Sequence, residues 1–431
     1  MTQKLLMLII TFSMLGESTQ ISASCNATPL TVPAGGATIS APGYYCLTGD
    51  TTGTITINAN DVTLDLNNHT ISLPSDSGAD GVDVNPGFSR ITIKNGNIVT
   101  PYNGIGLFGD TGDSDFYIYD VTIDGASLGI SAGRLANLTI ARVIITNSSD
   151  FGFSIGSASN VTLSACNVTN VSGGNGFNIL GVPNSSMLLD SCIATNAASG
   201  FAITGTNVTL THCLAQNCGS GFSIGNTITN ITTDIALVDC TANFNGGKGF
   251  YIAGSNTTLT DCMAQGNGTS DSANCAGFFL ETTSNNTMLA NCSANLNIGN
   301  AGTSAAFFNW TTVGPSSFIA CTAQNNAIEG FNMINSTGVG IIKSCVAKGN
   351  SACGFDDAST SSLYQYVANV AEGNGDHPGD SVCDTNYCLG GDVTTFSSHG
   401  PGPTPYFQFI PNTPATATAF TPTFWNNITL P

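Results

Sequence analysis

One short pattern recurs eight times along this chain and restricts its fold more than any other feature. An aliphatic residue or Phe stands three places before a Cys, Ala usually stands two places after it, and Asn follows within five. The cysteines are Cys166, Cys192, Cys213, Cys240, Cys262, Cys292, Cys321 and Cys345, spaced by 26, 21, 27, 22, 30, 29 and 24 residues. A second element, Gly-Phe-x-aliphatic in most copies, alternates with the first and contributes Phe153, Phe177, Phe201, Phe222, Phe250, Phe278, Phe307, Phe331 and Phe355. Short alternating strands broken by Gly and Asn cannot bury their apolar faces alone, but stacked coil on coil they can. The expectation is an all-β, single-stranded right-handed parallel β-helix, with thiols and phenyl rings in continuous inner columns and Asn at the corners.

The earlier part keeps this frame without the thiols. Segments beginning at Val62, Ile91, Phe116 and Leu138 align on the same strand. The count is about twelve coils between residues 62 and 374, a rod of ~55–60 Å at ~4.8 Å per coil. No stretch sustains the i, i+3, i+4 apolar spacing of a helix. Residues 24–61 are expected to cap the N-terminal end, where an open solenoid would expose core and strand edges. Residues 375–431 change to a Pro- and Thr-rich composition with Tyr406, Phe407, Phe409, Phe420, Phe424 and Trp425, and read as a C-terminal cap or tail.

Residues 1–23 read as an export signal. Lys4 supplies a positive start, Leu5 to Leu15 a short apolar run, and Ile21-Ser22-Ala23 a processing site. The run is too short to span a bilayer, and no later segment looks transmembrane. The expected location is secreted, periplasmic or cell-surface. Hydrophobic residues make up 41% of the chain, charged residues only 8%, and the net charge is −19. Binding to nucleic acid needs clustered Lys and Arg, so a polysaccharide or another cell-surface partner fits this composition better. Oligomeric state is not legible.

The stretch from Pro42 to Ser72, PGYYCLTGDTTGTITINANDVTLDLNNHTIS, resembles the opening coil of bacterial right-handed parallel β-helix proteins with the pectin-lyase-like fold. The segment SRITIKNGNI from Ser89 is similar to their second coil. The resemblance implies the fold and lends no catalytic residue, because the superfamily includes lyases, hydrolases, epimerases and members of no known activity. The Gly-His-Gly and Asp-Pro-His motifs of its enzymes are absent, and Asp356-Asp357 is the only adjacent Asp pair.

Function is therefore sought on the coil surface. With Leu64, Ile93, Ile118 and Ile140 pointing inward, one outer face carries Asp65, Lys94, Tyr117 and Tyr119, with Asp120 and Arg142 at its corner. Aromatic rings beside carboxylates and cations suit carbohydrate recognition. A polysaccharide lyase or glycoside hydrolase on the same coils, with Lys94, Arg134 or Arg142 as base or two of Asp65, Asp113, Asp115 and Asp120 as acid and base, is the alternative. A structural, adhesin-like rod is the third reading. Asp110, Asp113 and Asp115 form a carboxylate-rich loop that could hold Ca²⁺. Parallel thiols ~4.8 Å apart suit a core better than disulfides, which need Cβ atoms at ~3.8 Å. Cys25 with Cys46, and Cys383 with Cys388, are the expected disulfides.

Overall fold

The computed structural model describes residues 27–109, 112–180, 186–225, 232–268, 276–299, 305–309, 315–333, 339–357 and 363–375, and the backbone strands Tyr387–Leu389 and Phe407–Phe409. Within them the chain winds as a right-handed parallel β-solenoid of about 11 turns with no helix. Each turn contributes three strands. The first face is built from strands such as Val62–Asp65, Ala136–Ala141, Ser159–Ser164 and Ser255–Thr260. The second holds short strands such as Ile144–Thr146, Asn167–Thr169 and Met263–Gln265. The third holds strands such as Val82–Val84, Asn103–Phe108, Leu128–Gly133 and Phe250–Ile252. The long strands Ile91–Val99 and Ser114–Asp124 run through the first two faces without a break. They join those faces into one 27-stranded sheet, while the third face forms a 15-stranded sheet. The ladder begins before the coils read from sequence: Ala37–Ile39 and Gly43–Leu47 already pair in parallel with Ile55–Ile57 and Val62–Asp65.

Register follows the repeat. Leu64, Ile93, Ile118 and Ile140 are successive Cα partners, all buried. On the third face Ile105 pairs with Ile130, Ile130 with Phe153, and Phe153 with Phe177. The phenyl rings then stack at 4.7–4.9 Å between centroids and within 9° of parallel from Phe153 to Phe355. The coil rise imposes this spacing. The second face answers with smaller residues. Its inward column runs Ile98, Ile123, Ile145, Val168 and then Ala194 and Ala215. Volume gained by Phe on one wall is removed as Ala on another, which keeps the interior close-packed without overfilling it.

The eight ladder thiols are free and buried at the bend between the first two faces. Each points its Sγ toward a carbonyl of the preceding coil, as Cys240 does to Leu210 at 3.5 Å. Burial pushes the Cys292 and Cys345 thiols well above their ordinary range, so they pack as small neutral core groups. Cys218 is also buried and free.

The chain turns its corners with residues at positive φ. One column of such residues enters the first face at Asp61, Arg90, Asp115, Asn137 and Asn160, and another leaves it at Asn95, Asp120, Arg142 and Ala165. Asn and Asp tolerate this conformation better than other side-chain-bearing residues, which explains their recurrence. A third column runs through Asn147, Asn170, Asn196, Asn217, Phe244, Leu296 and Asn325, and next to it lie the buried amides of Asn245, Asn267, Asn297, Asn326, Asn350 and Asn374. Each Nδ2 before the last donates to the next Oδ1 at 2.8–3.0 Å. The same groups also bond backbone: Asn267 Nδ2 donates to Ala242 O, and Asn267 N donates to Asn297 Oδ1. Every side-chain amide atom of this buried column thereby finds a partner, as burial requires.

Candidate binding faces

The first face gathers the side chains the sequence assigns to it. Asp65 is the Cα partner of Lys94, and Lys94 of Tyr119. Lys94 Nζ lies 3.4 Å from Asp65 Oδ2, 5.8 Å from the Tyr119 ring centre and 5.2 Å from that of Tyr44. Arg142 sits 6.0 Å from the Tyr119 ring and pairs with Asp120 through two contacts, at 2.7 and 2.8 Å. Cation–π contact and ion pairing therefore fix the Tyr119 ring between Lys94 and Arg142. Tyr117 stands one column over, 44% exposed, on a strand paired on both sides.

Tyr44 is the member that sequence alone missed. Its hydroxyl donates to Asp65 Oδ2 at 2.6 Å. The signal was the pairing of Gly43–Leu47 with Val62–Asp65, which adds one coil before Val62. Asp65 is buried at 7% exposure. Burial works to raise its pKa, but hydrogen bonds from Tyr44, the Asn67 amide and Asn95, with the Lys94 charge, hold it below the ordinary carboxylate range. Burial works against the Lys94 charge, and Asp65, Tyr119 and Tyr44 together keep its pKa above the ordinary value. The Arg142 bond lowers Asp120. These carboxylates stay ionised, and the cations stay charged.

The carboxylate-rich loop is divided. Asp113 Oδ2 accepts from the Gly87 amide at 2.8 Å, and Asp115 accepts from Asn137 Nδ2 at 2.9 Å. Asp110 lies outside the described residues. Among the described residues no three His, Cys, Asp or Glu side chains gather as a metal site. Cys46 takes part in a disulfide, while Cys25 and Cys383, and the side chain of Cys388, lie outside the described residues. Cys353 is also disulfide-bonded.

The third face carries a feature absent from the sequence reading. Asp80 is 9% exposed and Asp83 is partly buried beside it. Burial, then the Asp83 charge, pushes Asp80 up to about 6 against the pull of its hydrogen bonds with Asn103, and burial also raises Asp83. Nothing in sequence spacing marks this pair, because Asp80 precedes its strand and reaches across to the next coil.

Three strands per turn, shared inward columns and parallel pairing throughout define a right-handed parallel β-helix protein. The family model described as right handed beta helix region matches residues 104–294, the middle of this solenoid. No curated protein matches the sequence. Among solved structures, the chain is similar to the A-modules of two mannuronan C-5 epimerases of Azotobacter vinelandii. For AlgE4 the identity is 12%, over 84% of this chain and 88% of that one, with a TM-score of 0.34. For AlgE6 it is 12%, over 83% and 90%, with a TM-score of 0.36. The Dettilon tailspike protein gp208 matches at 10% identity over 84% of this chain and 60% of that one, with a TM-score of 0.32. No ligand or reaction passes from these proteins to this chain.

Proposed function

We propose that this β-helix is an exported or surface protein that binds carbohydrate through the first face of its early coils. The observation that carries the reading is Tyr117, an exposed ring on a strand held from both sides, beside a network whose charges are already matched. A sugar ring stacks on such a platform, and its hydroxyls meet fixed donors and acceptors at little ordering cost. The same network speaks against catalysis there. A lyase base should release its proton easily, whereas Lys94 holds its own more tightly than a free lysine. A hydrolase acid should be protonated, whereas Asp65 and Asp120 are both held ionised.

Affinity electrophoresis through gels containing neutral or acidic polysaccharides tests this reading. The protein should be retarded by at least one neutral polysaccharide, and Tyr117→Ala should migrate freely while melting like the parent. Accumulation of reducing ends or unsaturated product, lost in Asp120→Ala or Arg142→Ala, would replace the binding reading with an enzymatic one.

A further inference from the structure

The third face presents a trough along the rod axis. Its outward column runs Asp83, Gly106, Ser131, Ser154, Asn178, Ala202 and Ser223, successive Cα partners, and Tyr251 closes it. The neighbouring column runs Phe108, Gly133, Gly156 and Leu180, with Phe108 and Leu180 about half exposed at its ends. The two middle glycines are not forced by crowding. A Cβ at Gly156 would meet nothing within 4 Å, and one at Gly133 only the Gly156 carbonyl at 3.4 Å. Farther along, a hollow of about 300 Å³ opens between Leu180, Thr204, Ser223 and Tyr251.

The head of the trough is built differently. A Cβ at Gly106 would fall 1.9 Å from Asp80 Oδ2 and 3.3 Å from Phe108 Cε2, so a carboxyl and an aromatic edge share the space over this glycine. Next along the column is Ser131, only 7% exposed, whose hydroxyl has no hydrogen-bond partner among the described residues. Its neighbours Ile130 and Ala132 are buried, and strand alternation turns Ser131 outward into the trough. The little of Ser131 that reaches solvent opens onto the trough, and the open floor beside it leaves room for a ligand hydroxyl.

We propose that this trough is a second binding site, for a neutral polyhydroxylated chain lying along the rod axis, with Asp80, Asp83 and Ser131 bonding its hydroxyls and Phe108 taking its apolar face. The site is separate from the first face and does not rest on binding there. An anionic chain would meet the Asp80 and Asp83 carboxyl groups at this end, where the exposed Arg134, next after Gly133, is the nearest cation in sequence. A divalent cation wants six to eight oxygens, whereas Asp80 is engaged by Asn103 and shares the space over Gly106 with the edge of Phe108. Asp83 is the charged neighbour that acts on Asp80; the adjoining strand Asn103–Phe108 carries no ionisable residue.

A printed array of neutral and acidic oligosaccharides, probed with the whole chain and three variants, tests the proposal. Gly156→Trp fills the open floor and should abolish one set of neutral-glycan signals. Asp80→Asn should weaken the same set about tenfold, as loss of a hydrogen bond to a charged group does. Tyr117→Ala, on the other face, should leave that set intact. Thermal melting of each variant identifies any that fails to fold, and Ser131→Val serves as a second probe of the same hydroxyl. Signals indifferent to Gly156→Trp, no neutral-glycan signal, or calcium chloride alone shifting the melting of the parent but not of Asp80→Asn would each overturn it.

Discussion

The coils before Cys166 and those after it share one backbone and differ in almost everything that fills and coats it. Before Cys166 the inward columns are mostly Ile, Leu and Val, with Phe116 and Phe153 as buried aromatics among them. The position that later holds thiols is taken by Gly96, Val121 and Val143. Outside, these coils carry four of the chain's eight Lys and Arg residues, with Tyr44, Tyr117 and Tyr119. After Cys166 the interior becomes columns of like residues: thiols, phenyl rings, alanines and, from Asn245 on, amides. Repetition thus holds the later coils together from within, whereas the early coils depend on ordinary aliphatic packing and reserve their variety for the surface. Chemistry gathers where repetition is weakest.

The largest way to break this contrast is to remove one ring from the middle of the phenyl column. Phe222→Ala leaves two stacked neighbours and a cavity, and should cost about 3–5 kcal/mol. Ile130→Val, at the equivalent early position, should cost only about 0.5–1.5 kcal/mol. Equilibrium denaturation of both compares them directly. A Phe222→Ala loss below about 3 kcal/mol would mean that the ring column holds the later coils less firmly than an ordinary core aromatic would.

Next in size is the amide column. Asn297→Ala strips the acceptor from Asn267 N and Nδ2 and the donor from Ala264 O and Asn326 Oδ1. Unsatisfied buried groups cost about 1–3 kcal/mol each. Asn196, whose exposed amide bonds Asn170 at 2.9 Å, should tolerate Ala within about 0.5 kcal/mol. Protection of the Asn267 amide against hydrogen exchange should fall in the first variant and hold in the second.

A smaller effect sharpens the early side. Because the folded pKa of Asp80 is raised to about 6 from 3.8, the folded state binds the extra proton. Its contribution to stability is then fully present below pH 3.8 and is lost as pH climbs to about 6. Asp80→Asn should melt like the parent at pH 3.5 and higher than the parent at pH 8. A melting difference that does not change with pH would remove Asp80 as its source.

A small change is also expected at the Asp120–Arg142 pair, which is largely solvent-exposed. Arg142→Ala should alter stability by no more than about 1 kcal/mol, less than Phe222→Ala or Asn297→Ala. A larger loss on denaturation would show that the early surface is structural after all.

The later coils were legible in the sequence because each inward column repeats a residue type at a recognisable spacing. Phe153 to Phe355 and Cys166 to Cys345 could be placed before any coordinates. The first-face cluster was legible for a related reason: alternation along Val62–Asp65 and its successors tells which side each residue faces. Tyr44 escaped because its strand preceded the first coil counted. Asp80 escaped because its position depends on a loop crossing to Gly106, and loop paths follow from three-dimensional packing rather than from period.

The amide column has a sense. Every Nδ2 from Asn245 to Asn350 points one of its two protons toward the next coil in the C-terminal direction, so the side-chain couplings all run the same way, like carriages coupled the same way round. A gene can lengthen or shorten such a train only by whole carriages. Duplicating or deleting a span from one Asn to the next keeps each coupling made, and an insertion that brings a coil without its amide leaves an open coupling on either side. The unit on which inheritance can act here is therefore the complete turn, and the spacers between Cys positions vary in length while the coupled residues do not.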